Sequence, residues 1–266
     1  MPRLTDDDLE HIVGAFWQPD ISMFRALLEA TGDRIGGDLA ELGVLYGRSA
    51  VLLGDHLRKG ETLTVVDLFE DAAPDPDNLE ENLSSYPGLT RAAFEDNYRR
   101  MLGTLPQVVQ GLSHTIEDHA PAGAHRFVHV DASHLYEHVV KDIEVAHRLL
   151  KPDGILVLDD FRTAHTPGVA AAAWQAVLTS SLRPFAVSEF KMYATWGDPE
   201  PWMSALRAWA TAASCEIDVQ QVNDRPLLRV HVVRSSPHPA LRYLPEVVWP
   251  AGRKVRAAAR SLRRGA

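Results

Sequence analysis

Only one cysteine, Cys215, occurs among the 266 residues. A single thiol can form no disulfide within its own chain and cannot build a thiolate metal cluster, so the sequence excludes both. No residues typical of a nucleophilic site lie beside Cys215 in the sequence. We therefore interpret it as a small residue of the core.

Long apolar runs are missing as well. The chain has no apolar stretch of about 18 residues or more, the length that a transmembrane helix needs. The first residues, MPRLTDDDLE, are acidic where a secretory signal would place basic residues before an apolar segment. We therefore predict a cytoplasmic protein without a membrane span.

The charge balance is acidic but uneven. With 27 basic and 36 acidic residues the formal net charge is -9, which argues against nucleic acid as the main partner. The C-terminal segment GRKVRAAARSLRRGA carries basic residues and no acidic one. It is either a solvated helical tail or a docking segment for an anionic polymer, a membrane surface or an acidic partner subunit. A homo-oligomer is compatible with either interpretation.

The hydrophobic pattern predicts an α/β fold. Residues 5–30 have apolar positions at helical spacing and are broken by Pro19, which indicates two short helices. After residue 36, short apolar runs alternate with helical patterns over 47–58, 90–102 and 134–149. Uninterrupted apolar runs are typical of parallel strands covered on both faces. The runs read DLAELGV, TLTVVDL, QVVQG, FVHVD and GILVLDD.

From this pattern we predict a doubly wound, mostly parallel seven-stranded sheet of the Rossmann-like kind with N-terminal helices. The predicted units are an N-terminal helical lid (1–35), the α/β domain (36–240) and a basic tail (241–266). An acidic loop is expected from Glu70 to Pro87. Within the second half, FAVSEF reads as a strand, and EIDVQQVNDRPLLRVHVV reads as a closing hairpin with its turn at NDRP.

The loop after the first strand, ELGVLYGRS, has two glycines but lacks the usual phosphate-binding signatures. A G-x-G-x-x-G fingerprint would need glycine where Leu45 stands, and the G-x-x-x-x-G-K-[ST] motif is absent. Gly43 and Gly47 would allow a tight turn close to a ligand, and the helix that begins by Ser49 offers free N–H groups. Glu41 is unsuited to phosphate, because like charges repel, but suits a cationic or hydroxyl-bearing ligand.

Two further residues complete this pocket. Asp67 ends the second strand, where an acid can accept both hydroxyls of a ribose, and Ser113 follows the third strand. A helix-capping role is the alternative for a strand-end acid. Together these residues outline a site for a ribonucleoside without phosphate.

Three carboxylates follow the fourth and fifth strands. Asp131 ends one, and Asp159 and Asp160 end the other, so neighbouring strands would bring them together. Such a trio needs a cation, and oxygen ligands suit Mg²⁺ or Ca²⁺, with Mn²⁺ as an alternative. The competing interpretation is that they cap the following helices. His134 stands where it could take a proton from a hydroxyl.

These motifs resemble those of the class I S-adenosylmethionine-dependent methyltransferases over about residues 36–161. ELGVLYGRS is similar to their E-x-G-x-x-x-G loop, and TVVDLFED to the strand that ends in the ribose-binding acid. The resemblance implies S-adenosyl-L-methionine as cofactor. Asp67 would hold its ribose, Gly43 and Gly47 its methionine part, and Glu41 would lie near its cationic end.

A finer resemblance concerns the segment from Val130 to Phe161. VDASHLYEH and the terminal Asp-Asp pair resemble D-G-x-H-x-Y-E and D-D of the metal-dependent sugar O-methyltransferases. It implies a Mg²⁺ site at the carboxylate trio, with His134 as the general base. Ala132 departs from the usual glycine, and Ser133 stands where several relatives have a second aspartate, so His134 would act alone.

We therefore expect an O-methyltransferase acting on a small-molecule or oligosaccharide acceptor, with a sugar hydroxyl as the methylated group. Two alternatives are a methyltransferase of a non-sugar molecule and a non-catalytic cofactor-binding assembly protein. Side chains beyond the common core could contact the acceptor, although exposed-loop or core roles are equally compatible. They are Arg162, His165, Lys191, Tyr193 and Trp196.

Overall fold

The computed structural model describes residues 3–86, 88–213 and 215–232. One sheet runs through this part of the chain, in the order β3-β2-β1-β4-β5-β7-β6-β9-β8. Its strands are β1 (Asp38–Leu42), β2 (Leu63–Asp67), β3 (Gln107–Gln110), β4 (His125–Val130), β5 (Leu150–Leu158), β6 (Arg183–Val187), β7 (Met192–Thr195), β8 (Cys215–Val222) and β9 (Arg225–Val232). The predicted basic tail and the domain boundary at residue 240 lie outside the described residues.

Helices fill the connections. They are α1 (Asp6–Glu10), α2 (Asp20–Arg34), α3 (Arg48–Asp55), α4 (Pro76–Ser85), α5 (Arg91–Leu102), α6 (Tyr136–Leu149), α7 (Pro167–Thr179) and α8 (Glu200–Ala213), with a 3₁₀ helix at Ser113–Asp118. Strands β3, β2, β1, β4 and β5 are mutually parallel. The prediction of a doubly wound, mostly parallel α/β sheet is therefore confirmed.

The sheet has two more strands in the described residues than predicted. After β6 the chain turns back, and β7 inserts antiparallel between β5 and β6. Beyond it, β9 pairs parallel with β6, and β8 closes an antiparallel hairpin on β9. Asn223 and Asp224 form the hairpin turn with φ of 51° and 57°, a left-handed conformation that Asn and Asp tolerate.

The predicted acidic loop from Glu70 to Pro87 contains a helix, α4. Asp75 caps it by accepting hydrogen bonds from the N–H groups of Asp77 and Asn78, and Pro76 occupies the first turn. The prediction of a loop was wrong because the segment Asp75-Pro76-Asp77 is a helix-capping sequence, which we had interpreted only as acidic. This correction matters because α4 contributes a side chain to the site described below.

The N-terminal helices pack against the α/β part. Leu9 of α1 and Phe24 of α2 are fully buried in the same apolar cluster as Leu39 of β1 and Phe127 of β4. A second apolar cluster covers the opposite face of the sheet beneath α6 and α7. Among the described residues, no helix is both long and apolar enough to cross a membrane.

Candidate active site

The structure brings the predicted carboxylate trio together at the carboxyl ends of β4 and β5. Val130 and Leu158 are register partners on these parallel strands, so Asp131 and Asp159 follow side by side. Ligand atoms of Asp131 and Asp159, with His129, lie within 4.8 Å of one another, as do those of Asp131, His134 and Asp160. Asp131 is common to both groups and is the centre of the cluster.

The chain reverses sharply at the Asp-Asp pair. Asp160 has φ 52°, a left-handed conformation that costs energy for a residue with a Cβ atom. Its N–H donates to Asp159 Oδ1 at 2.7 Å. The turn therefore directs Asp160 towards His134, while Asp159 stays beneath it, only 8% exposed.

Crowding of like charges shapes the protonation of the trio. Burial, together with the charges of Asp159 and Asp160, raises the pKa of Asp131 well above its usual range. Burial acts in the same direction on Asp160, but the hydrogen bond and charge of His134 outweigh it and leave the pKa of Asp160 below its usual value. The cluster therefore favours any cation that can reach Asp131.

His134 lies between two carboxylates. Its Nδ1 contacts Glu81 Oε1, and its Nε2 is 3.1 Å from Asp160 Oδ2. Although burial acts to lower the pKa of His134, these two hydrogen bonds raise it to about 10. In this arrangement the ring is an imidazolium that donates from both nitrogens. Glu81 belongs to α4, and sequence analysis missed it because that segment was interpreted as a loop.

Lys191 is a further member of the cluster. It precedes β7, is 2% exposed, and its Nζ contacts Asp159 Oδ2. Burial acts to lower the pKa of Lys191, but the charges of Asp159, Asp131 and Asp20 outweigh it and hold the pKa above its usual value. The sequence suggested an acceptor contact for Lys191, whereas the structure shows an internal ammonium.

Behind Lys191 lies a buried pair, His129 and Glu41. They are register partners on β4 and β1, and His129 Nδ1 is 2.6 Å from Glu41 Oε1. His129 Nε2 is 3.1 Å from Lys191 Nζ. Since an ammonium group can only donate, Nε2 accepts and Nδ1 carries the proton that is donated to Glu41. A continuous hydrogen-bonded chain thus joins Glu41, His129, Lys191 and Asp159.

Both members of this pair are fully buried. Burial and the Lys191 charge hold the pKa of His129 well below its usual range, so the ring is neutral. Burial raises the pKa of Glu41 to about 8. Its second oxygen, Oε2, has no hydrogen-bond partner among the described residues. Glu41 therefore lies behind the glycine loop, within the core.

The two glycines of the loop are required by close packing. Both have positive φ, 81° at Gly43 and 95° at Gly47. A Cβ atom at residue 43 would overlap the carbonyl oxygen of Asp131, and one at residue 47 would lie 2.9 Å from the ring of Phe94. Gly43 thus lets the predicted cofactor loop touch the start of the acidic cluster.

Asp67 braces the same loop. Its Oδ2 accepts the N–H groups of Val44 at 2.7 Å and Leu45 at 3.1 Å, and its Oδ1 accepts that of Phe69 at 2.8 Å. Burial nevertheless raises the pKa of Asp67. A carboxylate has about four acceptor positions, so three backbone bonds leave room for one hydroxyl. The predicted hold on both ribose hydroxyls would require one backbone bond to be released.

The two predicted serines lie at the same end of the sheet. Ser49 is 7% exposed in the first turn of α3. Ser113 follows β3, and its hydroxyl donates to Asp142 of α6, whose pKa burial raises to about 7. The Ser113 hydroxyl therefore has a protein partner, and a cofactor contact from this residue would have to compete with Asp142.

The predicted acceptor-contact residues separate into two groups. Arg162 donates to the carbonyl of Ser188 at 3.3 Å, and the ring of His165 lies 6.3 Å from that of His134, so both stand beside the cluster. Tyr193 is instead buried and donates to Asp20, and Trp196 stacks on His147 with ring centroids 4.1 Å apart. These last two have core or surface partners.

Comparisons with known proteins concern the family and the fold. A family model described as a methyltransferase domain matches residues 40–161, from β1 to the turn after β5. The O-methyltransferase NovP is 20% identical with a TM-score of 0.53, over 67% of this chain and 79% of NovP. The SAH-bound methyltransferase PaMTH1 of Podospora anserina is 12% identical with a TM-score of 0.51, over 74% and 90% of the two chains. No match was found among curated proteins.

The matched segment contains the glycine loop, Asp67 and the whole acidic trio. It coincides closely with residues 36–161, for which the sequence indicated the resemblance. The likeness to solved structures shows that the surrounding architecture is the same fold. The predicted resemblance to class I methyltransferases is therefore confirmed. Ala132 and Ser133, which depart from the expected pattern, lie within the matched segment.

Proposed function

We propose that this chain, an S-adenosylmethionine-dependent methyltransferase by its domain match and its fold, methylates a hydroxyl oxygen of a sugar or glycosylated metabolite. One observation carries the proposal. Gly43 of the loop expected to hold the cofactor packs directly on the backbone of Asp131, the centre of the acidic cluster. A methyl donor on the loop and a hydroxyl over the cluster would therefore be neighbours.

The cluster fits a divalent cation in both chemistry and charge. Its carboxylates are Glu81, Asp131, Asp159 and Asp160, and its cations are Lys191 and His134. With every group ionised, two negative charges remain, and oxygen ligands are those that Mg²⁺ prefers. We propose that the ion binds at the carboxylate trio of Asp131, Asp159 and Asp160. A bound divalent ion would lower the pKa of the acceptor hydroxyl and orient it.

In the proposed reaction the acceptor oxygen attacks the methyl carbon. Bound S-adenosylmethionine would supply the methyl carbon, and its sulfonium sulfur would keep the electron pair of the broken carbon–sulfur bond and leave as a neutral thioether. The hydroxyl proton has to leave, and His134 is our proposed base. Since Glu81 and Asp160 hold this ring protonated, the base role requires the pKa of His134 to fall, which loss of the Asp160 contact would bring about.

The proposal is tested by calorimetric titration of S-adenosylhomocysteine into EDTA-treated protein, repeated with Mg²⁺ and with a panel of sugars. We expect cofactor binding in both conditions and sugar heats only with Mg²⁺. Absence of cofactor binding would contradict the proposal as a whole. Metal-dependent heats from phenols or other non-sugar hydroxyl compounds alone would favour the non-sugar acceptor, and binding without turnover of any acceptor would favour an assembly protein.

A further inference from the structure

The ammonium of Lys191 lies inside the acidic cluster. Its Nζ contacts Asp159 Oδ2 and lies 3.1 Å from His129 Nε2. The rings of Phe16 and Phe24 lie beside it, with centroids 5.3 Å and 5.9 Å from Nζ. A charge enclosed by a carboxylate, an imidazole and two aromatic rings has few alternative rotamers.

The backbone of Lys191 is also fixed. Its N–H donates to Ser188 Oγ at 2.9 Å, and its carbonyl accepts the N–H of Ser188 at 2.9 Å. The next residue, Met192, begins β7, which pairs with β5 directly before Asp159. The lysine is therefore held at the same end of the sheet as the carboxylate that it contacts.

Asp159 differs from the other two members of the trio. Its Oδ2 is taken by Lys191 and its Oδ1 accepts the N–H of Asp160 at 2.7 Å, so both oxygens have protein partners. It is 8% exposed, whereas the side chain of Asp160 is 25% exposed and Asp131 is half-buried. An ion arriving from solvent would meet Asp131 and Asp160 first.

We propose that Lys191 is a permanent internal cation of the cluster, which keeps Asp159 out of the ion's ligand set and weakens the hold of Asp131 and Asp160 on a divalent ion. Two effects act together. The ammonium occupies a ligand oxygen, and its positive charge repels a second cation a few ångströms away. The inference rests on the proposed function, because it concerns the same ion site. It assigns Asp159 a positioning role.

The test measures ion affinity rather than turnover. Mn²⁺ binding to the full chain is followed by the loss of the free-ion signal in electron paramagnetic resonance, with Mg²⁺ as competitor. Lys191→Met should bind Mn²⁺ at least about tenfold more tightly than the wild type, since a tenfold change corresponds to only about 1.4 kcal/mol. Lys151→Met is the matched control, because Lys151 donates to the carbonyls of Ile35 and Gly36 far from the cluster. Its affinity should equal the wild type's.

A second arm leaves Lys191 in place, in case its removal prevents folding. Asp131→Asn and Asp160→Asn should each weaken Mn²⁺ binding at least about tenfold more than Asp159→Asn does. Equal losses for Asp159→Asn and Asp160→Asn would overturn the proposal, as would unchanged or weaker binding by folded Lys191→Met.

Cofactor binding separates this inference from the function that it rests on. S-adenosylhomocysteine is titrated into each variant alongside the ion. If the cofactor binds but no variant takes up Mn²⁺, the role of Lys191 is wrong while the methyltransferase function stands. If the wild type binds Mn²⁺ but no cofactor, the proposed function fails independently of the competition between Lys191 and the ion.

Discussion

Two buried cations, at opposite ends of the parallel strands, are treated very differently by the protein. Arg126, near the amino end of β4, is fully buried, and its guanidinium has a partner on every nitrogen. It donates to Glu61 and to the backbone or side-chain oxygens of Leu28, Thr31, Gly37 and His56, at distances from 2.9 to 3.1 Å. The charge of Arg126 is neutralised by that of Glu61, and its other hydrogen bonds are accepted by neutral oxygens.

Lys191, at the carboxyl end, is surrounded by more acids than it can neutralise. Asp159 is its direct partner, but Asp131 and Asp20 also contribute to its electrostatic environment. The pKa of Asp131 is pushed well above its usual range as a result of burial and this crowding. A buried charge with a full set of partners stabilises the fold, whereas an unneutralised excess of negative charge indicates a site that can bind a cationic ligand.

Replacing Arg126 should give the largest loss of stability, because it removes the cation from the fully paired network at the amino end of β4. Arg126→Met leaves the Glu61 carboxylate without its cationic partner and removes the donor to the carbonyls of Leu28, Gly37 and His56. Loss of one partner of a buried pair costs about 3–5 kcal/mol. Urea unfolding would measure the free energy of unfolding. Arg58→Met, at an exposed pair with Asp33, is the control and should change it by less than about 1 kcal/mol. Similar losses for both would show that the Arg126 network is not special.

A smaller loss of stability is expected when a methyl group is added at Gly43, which packs on the acidic cluster at the carboxyl ends of the strands. Gly43→Ala would force the loop away from the Asp131 carbonyl, adding an overpacking cost of about 1–3 kcal/mol to the strain of a positive φ. Gly60→Ala is the matched control, since its φ is 87° but nothing lies within 4 Å of the added Cβ. It should cost only about 1–2 kcal/mol.

Calorimetric titration with S-adenosylhomocysteine distinguishes the same two variants by their cofactor affinity. Gly43→Ala should lose most of its affinity for S-adenosylhomocysteine, while Gly60→Ala should keep it. If Gly43→Ala binds the cofactor as the wild type does, contact between the loop and the acidic cluster is irrelevant to the cofactor site.

An effect confined to alkaline pH is a dependence of stability on the protonation of His134. Its pKa is raised to about 10 in the folded protein, against 6.5 for the unfolded group. The stabilisation is complete below pH 6.5 and is lost as the pH rises through about 10. In EDTA, the thermal midpoint of the wild type should therefore fall more between pH 7 and pH 10 than that of His134→Gln. Parallel curves would show that the Glu81 and Asp160 contacts contribute nothing.

The sequence predicted well what depends on local pattern. Short apolar runs and the acids at their ends specified the parallel strands and the edge where Asp131, Asp159 and Asp160 meet. The side chains that the sequence did not place in the site come from segments far apart in the chain. Lys191 reaches Asp159 only because β7 inserts beside β5, and no spacing in the sequence reports such an insertion.

His129 and Glu41 gave a signal that could have been used. Each is the one polar residue in the interior of an apolar run, FVHVD and DLAELGV, and the two runs are adjacent strands. Polar residues in two buried strands have to find each other, because an unpaired buried group is costly. Glu81 gave a weaker signal, since it required the capping residue Asp75 to be recognised within an acidic segment.

The three backbone hydrogen bonds accepted by Asp67 imply that the glycine loop is ordered before a ligand binds. The amide protons of Val44, Leu45 and Phe69 are held by the carboxylate before any ligand arrives. They should exchange with deuterated water slowly in the ligand-free protein, and Asp67→Ala should release all three together. The glycine loop would then be a preorganised binding site, whose conformation is set during folding and not by the bound ligand.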